Sequence, residues 1–178
     1  MPDYFYLIFS GVSEKENVLY RDEDDTHGFV LVLDYKWNRK SANGLHMLAI
    51  AKDGSLSCLR DLNSSHLPML RSIQKECKRV IVDQFSSVIN EESKKRDPLT
   101  EEDILVFFHY PPTFYHLHVH FVHINSNIDG GSQIGRGHLL HDVIENLEIK
   151  DDYYKEKSFH LNMGESSPML LALQTAKH

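Results

Sequence analysis

The densest chemistry in the sequence lies between His109 and His123. His116, His118 and His120 stand at alternate positions, separated by Leu117 and Val119. Alternation among aromatic and β-branched residues predicts a strand, whose successive side chains point to opposite faces. His116, His118 and His120 then share one face at intervals of roughly 7 Å, while Leu117, Val119 and Phe121 share the other. His109 ends an upstream apolar run, Ile104 to Phe108. Between the two runs, Tyr110-Pro111-Pro112-Thr113-Phe114 must turn the chain, because proline supplies no ladder donor. A tight return brings His109 beside the row.

Three chemical readings compete for such a row. A polar strand face that uses histidine by chance explains one imidazole better than three at this spacing. A zinc ion can be shared by histidines at i and i+2 on a strand. Such ligands want carboxylates behind them, and none lies between Asp103 and Asp129, although one can fold in from elsewhere. The third reading is nucleophilic catalysis at phosphorus. A neutral imidazole is a good nucleophile near pH 7, and a phosphorylated histidine is opened by water. Neighbouring histidines can hold its tautomer, bind phosphoryl oxygens and protonate a leaving group.

The elements that must position these residues are legible from periodicity. Val18 to Tyr20, Gly28 to Tyr35 and Leu45 to Lys52 read as strands, and the second delivers Asp34 and Lys36 at its end. His46, inside the third, reads as structural. Leu67, Leu70, Ile73, Cys77, Val80 and Ile81 recur at three- and four-residue spacing, as in one long amphipathic helix capped within Asn63-Ser64-Ser65. Residues 138–147 form a second helical pattern, with Arg136 just before it. A short strand around Phe159 to Leu161 and a helix from Pro168 to Ala176 follow. The expected fold is α+β: an antiparallel sheet of about five strands, one long covering helix and shorter carboxy-terminal helices. Tyr4 to Phe9 is a dense aromatic segment that by itself reads as core.

Bulk properties narrow the function. At 178 residues, 41% hydrophobic and 25% charged, the chain has the composition of one globular domain. A net charge of −7 argues against an extended nucleic-acid surface and is compatible with a small nucleotide in one pocket. No run is long enough to span a bilayer, and the first residues lack a signal segment. Cys58 and Cys77 show no ligand spacing. The expected compartment is the cytosol or nucleus, with no membrane partner.

His-x-His-x-His followed by apolar residues resembles the signature of the histidine triad superfamily of nucleotide hydrolases and transferases. The stretches FFHYPPTFYHLHVHF, VLDYKWN, LRDLNSSHLPMLRSI and HLLHDVIENLE go further. In one order, from about Tyr4 to about Gln174, they resemble the carboxy-terminal catalytic domain of the scavenger mRNA decapping enzyme family. The resemblance implies a histidine triad fold over 1–178 as a single catalytic domain, without the family's separate, subunit-swapping amino-terminal domain. It also implies a homodimer.

The implied reaction is hydrolysis of a 7-methylguanosine cap dinucleotide or short capped RNA fragment. His118 attacks the phosphate attached to 7-methylguanosine, and water then frees 7-methylguanosine monophosphate from a covalent nucleotidyl-histidine. The carbonyl of His116 fixes the tautomer of His118, while His120 and His109 hold phosphoryl oxygens and serve the leaving group. Tyr4 stacks on the methylated base, and Glu14 accepts from its edge. Asp34 contacts the cap nucleotide, and Lys36 and Arg136 face the phosphates. No metal or cofactor is implied. A general histidine triad hydrolase of dinucleoside polyphosphates or nucleotide adducts is the runner-up, in which Tyr4 and Glu14 are only structural. A catalytically idle cap-binding module is the third class.

Overall fold

The computed structural model describes residues 15–34, 37–39, 41–86, 98–126 and 135–175. Tyr4, Glu14 and Lys36 lie outside the described residues. Six strands form one antiparallel sheet: β1 (Val18–Asp22), β2 (Phe29–Leu33), β3 (His46–Ala51), β4 (Ile104–His109), β5 (His118–His123) and β6 (Gly137–Leu139). Their order across the sheet is β1-β2-β3-β5-β4-β6. The described residues also form four α-helices: α1 (Leu67–Phe85), α2 (Leu140–Ile149), α3 (Tyr153–Glu156) and α4 (Pro168–Thr175). No described helix is long and apolar enough to cross a membrane.

The α+β architecture with one long helix is as the sequence pattern requires, with one strand more than the expected five. The sixth is β6, which pairs Phe107 with Leu139, Phe108 with His138 and His109 with Gly137. The apolar spacing of 138–147 reads as continuous helix, yet its first two residues leave it. They supply the ladder partners of β4, and the helix begins only at Leu140. The segment around Phe159 is the reverse case, since no strand forms there. Phe159 is held by side-chain packing instead, stacked 4.2 Å from Tyr110 and lying 4.7 Å beneath the guanidinium of Arg60.

Register assigns each face of the sheet. On one, Leu31 lies opposite Ala49, Ala49 opposite Val119, and Phe121 opposite both Met47 and Val106. All six are in the main apolar core. Helix α1 buries Met69, Leu70, Ile73, Cys77, Val80, Ile81 and Phe85 in that core, as its spacing demands. Each fully buried Leu or Ile contributes about 1.5–3 kcal/mol over exposure. Asn63 receives the backbone N–H of Ser65 at 3.0 Å in the turn that leads into α1, and Pro68 stands in the helix's first turn. The α2 helix adds Leu140, Val143, Ile144 and Leu147. The opposite face carries a small cluster of Val30, Val32 and Ile50, with Val18 and Leu48 beside it. Next to that cluster, on the same face, stand the histidines.

Candidate active site

Antiparallel pairing places Ile50 opposite His118, Leu48 opposite His120 and Phe107 opposite His120. Because alternate residues share a face, His46 and His118 flank the same surface as His120. Phe107 stacks on His120 with ring centroids 5.3 Å apart, and His46 stacks on it at the same 5.3 Å. The return from β4 does bring His109 to the row, with its ring centroid 4.0 Å from that of His120. His118 meets His120 edge-on at 5.0 Å. The described strand starts at His118, so His116 precedes it at a bend and does not continue the ladder row. Its Nε2 lies 2.7 Å from the carbonyl oxygen of Ala51.

Acceptors of fixed character decide where protons sit. The carbonyl oxygen of His116 lies 2.7 Å from Nδ1 of His118. A carbonyl can only accept, so Nδ1 carries the hydrogen and Nε2 keeps its lone pair. Burial holds the His118 pKa below its ordinary 6.5, partly opposed by that hydrogen bond. The imidazole is therefore neutral at neutral pH, with a nucleophilic nitrogen of defined direction.

His46, which its place in an apolar strand marks as structural, is brought against the site residues. Its Nε2 is 3.0 Å from Nδ1 of His120, and its Nδ1 is 3.4 Å from Oδ2 of Asp34. Both side chains of the Asp34–His46 pair are nearly buried, at 9% exposure each. The signal was in the sequence: one histidine in the buried run from Leu45 to Ala51, at even spacing from Leu48 and Ile50. Only the register of β3 on β5 shows what it meets.

Arg136 lies at the foot of β6 rather than at a helix start, and its Nη2 donates to the carbonyl of Pro111 at 3.3 Å. Its own carbonyl accepts from the N–H of Tyr110 at 2.9 Å. It thus braces the connection between β4 and β5. Arg60, which the sequence did not single out, braces the same connection from below. Its Nε donates to the Tyr110 hydroxyl at 2.6 Å, and its Nη1 to the carbonyls of Tyr154 and Lys157 at 3.1 and 3.0 Å. Among the described residues, no group of three or more His, Cys, Asp or Glu side chains is arranged to hold a metal ion.

An antiparallel sheet that carries clustered histidines, one of them pinned through Nδ1 to a backbone carbonyl, defines a histidine triad domain. The family model described as "Scavenger mRNA decapping enzyme C-term binding" matches residues 4–135. The m7GpppX diphosphatase of Sus scrofa is 33% identical over 174 residues, covering 98% of this chain and 48% of that protein. The Mus musculus enzyme of the same name is 34% identical over the same shares. That of Schizosaccharomyces pombe is 31% identical over 158 residues, 89% of this chain and 48% of the relative. The chain spans about half the length of the curated relatives it matches. Among solved structures, the aprataxin ortholog Hnt3 from Schizosaccharomyces pombe superposes with a TM-score of 0.54 at 20% identity, covering 98% of this chain and 90% of that one. Hnt3 in complex with DNA gives 0.56 at 21% identity, over 98% and 92%. These two share the fold. The chain belongs to the scavenger mRNA decapping enzyme carboxy-terminal family.

Proposed function

We propose that this domain hydrolyses 7-methylguanosine cap dinucleotides, or short capped RNA fragments, to 7-methylguanosine monophosphate and a nucleoside diphosphate or shortened RNA. The observation that carries the chemistry is the 2.7 Å contact between the His116 carbonyl and His118 Nδ1. It leaves Nε2 of His118 as an aimed nucleophile in a chain whose relatives are m7GpppX diphosphatases. Nε2 attacks the phosphorus attached to 7-methylguanosine, the bond to the bridging oxygen breaks, and a nucleotidyl-His118 remains. Water then attacks the same phosphorus and restores the free imidazole.

His109 and His120 border the reacting phosphate, and Arg136, by virtue of the family resemblance, supplies positive charge for the phosphate chain. Tyr4, Glu14 and Lys36 serve base and phosphate in this reading by virtue of the family resemblance. We place the protein in the cytosol or nucleus as a homodimer. Incubation with methylated and unmethylated cap dinucleotides, followed by chromatography of the products, tests the proposal. Release of 7-methylguanosine monophosphate, faster from the methylated substrate, is expected. Equal rates on both substrates would favour a general dinucleoside polyphosphate hydrolase.

A further inference from the structure

The family resemblance makes Asp34 a contact to the nucleotide, yet Oδ2 of this carboxylate faces Nδ1 of His46 at 3.4 Å. Beyond His46, Nε2 meets Nδ1 of His120 at 3.0 Å, and all three side chains are nearly withdrawn from water. We propose that Asp34 acts on the chemical step, through His46, as the far end of a proton relay that sets the proton on His120. This inference rests on the cap hydrolase reading for its substrate, and deepens it.

The logic follows from donors and acceptors. An ionised carboxylate only accepts, so His46 keeps its hydrogen on Nδ1. The contact between His46 and His120 then has two states. In the first, His46 is an imidazolium beside Asp34, its Nε2–H donates to His120 Nδ1, and the hydrogen of His120 is on Nε2. In the second, His46 is neutral, His120 donates from Nδ1, and Nε2 of His120 holds a lone pair. The two states differ by one proton. An aspartate behind an imidazole fixes its tautomer and stabilises its charged form.

Both half-reactions balance through this relay. When His118 Nε2 forms its bond to phosphorus, the bridging P–O bond breaks, and its electron pair goes to the leaving diphosphate. That oxygen takes the proton from His120 Nε2, His120 Nδ1 takes one from His46 Nε2, and His46 becomes neutral. When water attacks the nucleotidyl-His118, its proton goes to His120 Nε2, and the proton on Nδ1 returns to His46. The P–N bond breaks, its electron pair returns to His118, and the relay is reset. The positive charge thus rests on His46 beside Asp34, one residue removed from the substrate. His46 and Asp34 are positioning residues here, since neither needs to touch the reacting atoms.

Asp34→Asn keeps an acceptor for His46 and loses the charge, while His46→Gln keeps a polar side chain that cannot hold the extra proton. Two substrates separate the roles: the methylated cap dinucleotide, and the p-nitrophenyl ester of 7-methylguanosine monophosphate, whose leaving group departs without a proton. General acid–base catalysis is worth about 10²–10⁴-fold, so each variant should lose about 10²-fold in kcat on the dinucleotide. The double variant should be no slower than the slower single one, because both act on one proton. On the ester, the one-equivalent nitrophenolate burst should persist within about threefold, while later steady-state turnover slows with the loss of the base.

Nitrogen-15 spectra of the unsubstituted protein provide a readout independent of how the variants fold. The first proton added to the pair should generate imidazolium shifts on His46 and leave His120 neutral. The relay is overturned if Asp34→Asn raises KM with kcat unchanged, if the two substitutions multiply, if the burst falls as far as dinucleotide turnover, or if His120 takes that proton. Should the unsubstituted enzyme leave cap dinucleotides intact, the cap reading fails, and the ratio of burst to steady state on the ester still decides the relay.

Discussion

The two faces of the sheet obey different rules. On the helix side, Leu31, Ala49, Val119 and Phe121 meet α1 and α2, and any apolar group of suitable volume satisfies most of what that face needs. On the other side, His118 and His120 of β5 are flanked by His46 of β3 and by Phe107 and His109 of β4, and Nδ1 of His118, Nδ1 of His120 and both nitrogens of His46 each face a particular polar atom. The same β5 strand serves both, one residue apart. Substitutions on the first face should therefore be read in stability, and those on the second in rate.

The largest expected departure comes from the nucleophile. His118→Asn should cut kcat by on the order of 10³-fold or more while the methylated nucleotide still binds, since shape is kept and nucleophilicity lost. Equilibrium binding of 7-methylguanosine monophosphate measured beside turnover checks both halves. A variant that keeps a tenth of wild-type kcat would remove His118 from the covalent role.

Across the strand, Phe121 is fully buried between Met47 and Val106. Phe121→Ala should cost about 3–5 kcal/mol of stability by lost burial and a cavity. Urea unfolding measures that loss, and the turnover of the fraction still folded should stay near the wild-type value. Loss of rate without loss of stability would break the division between the faces.

A smaller effect concerns the base. A 7-methylated guanine carries positive charge over its ring, and stacking on a tyrosine gains about 0.5–2 kcal/mol from it. The methylated cap dinucleotide should be preferred by at least about tenfold, or roughly 1.4 kcal/mol. Tyr4→Ala should erase most of that preference, and Glu14→Ala should weaken both substrates alike. Competition between the two dinucleotides reads this ratio directly.

Protonation gives the gentlest test. Burial lowers the pKa of His118, and likewise of His66 and His138, from the ordinary 6.5. Below that pH the unfolded chain binds more protons than the folded one, so these groups make stability rise with pH up to about 6.5 and then level off. Turnover should fall in acid with a midpoint below 6.5, because His118 must be neutral to attack. Urea midpoints and kcat measured between pH 5 and 8 check both slopes. Stability that declines as pH rises through this range would contradict the sign.

How much of this was legible in the sequence follows the same division. Periodicity located five strands, the α1 helix and the turn that returns His109, because each depends on local spacing and on where apolar groups can hide. The sixth strand escaped because Gly137, His138 and Leu139 take their conformation from the edge of β4, not from their own pattern. The neighbours of His46 were hidden for a related reason: what it meets depends on which residues of β5 lie across from its strand, and register is a property of the assembled sheet. Arg136 was placed near phosphate by the family resemblance, and the helix expected just after it gives way first to a strand, while Arg60 gave no motif by which to find it.

The most direct test of the central claim is rapid-quench mass spectrometry of the protein mixed with excess methylated cap dinucleotide. A burst of protein bearing one 7-methylguanylyl group is predicted, with fragmentation placing the group on His118. Steady turnover with no such adduct, or with the adduct on another residue, would contradict it.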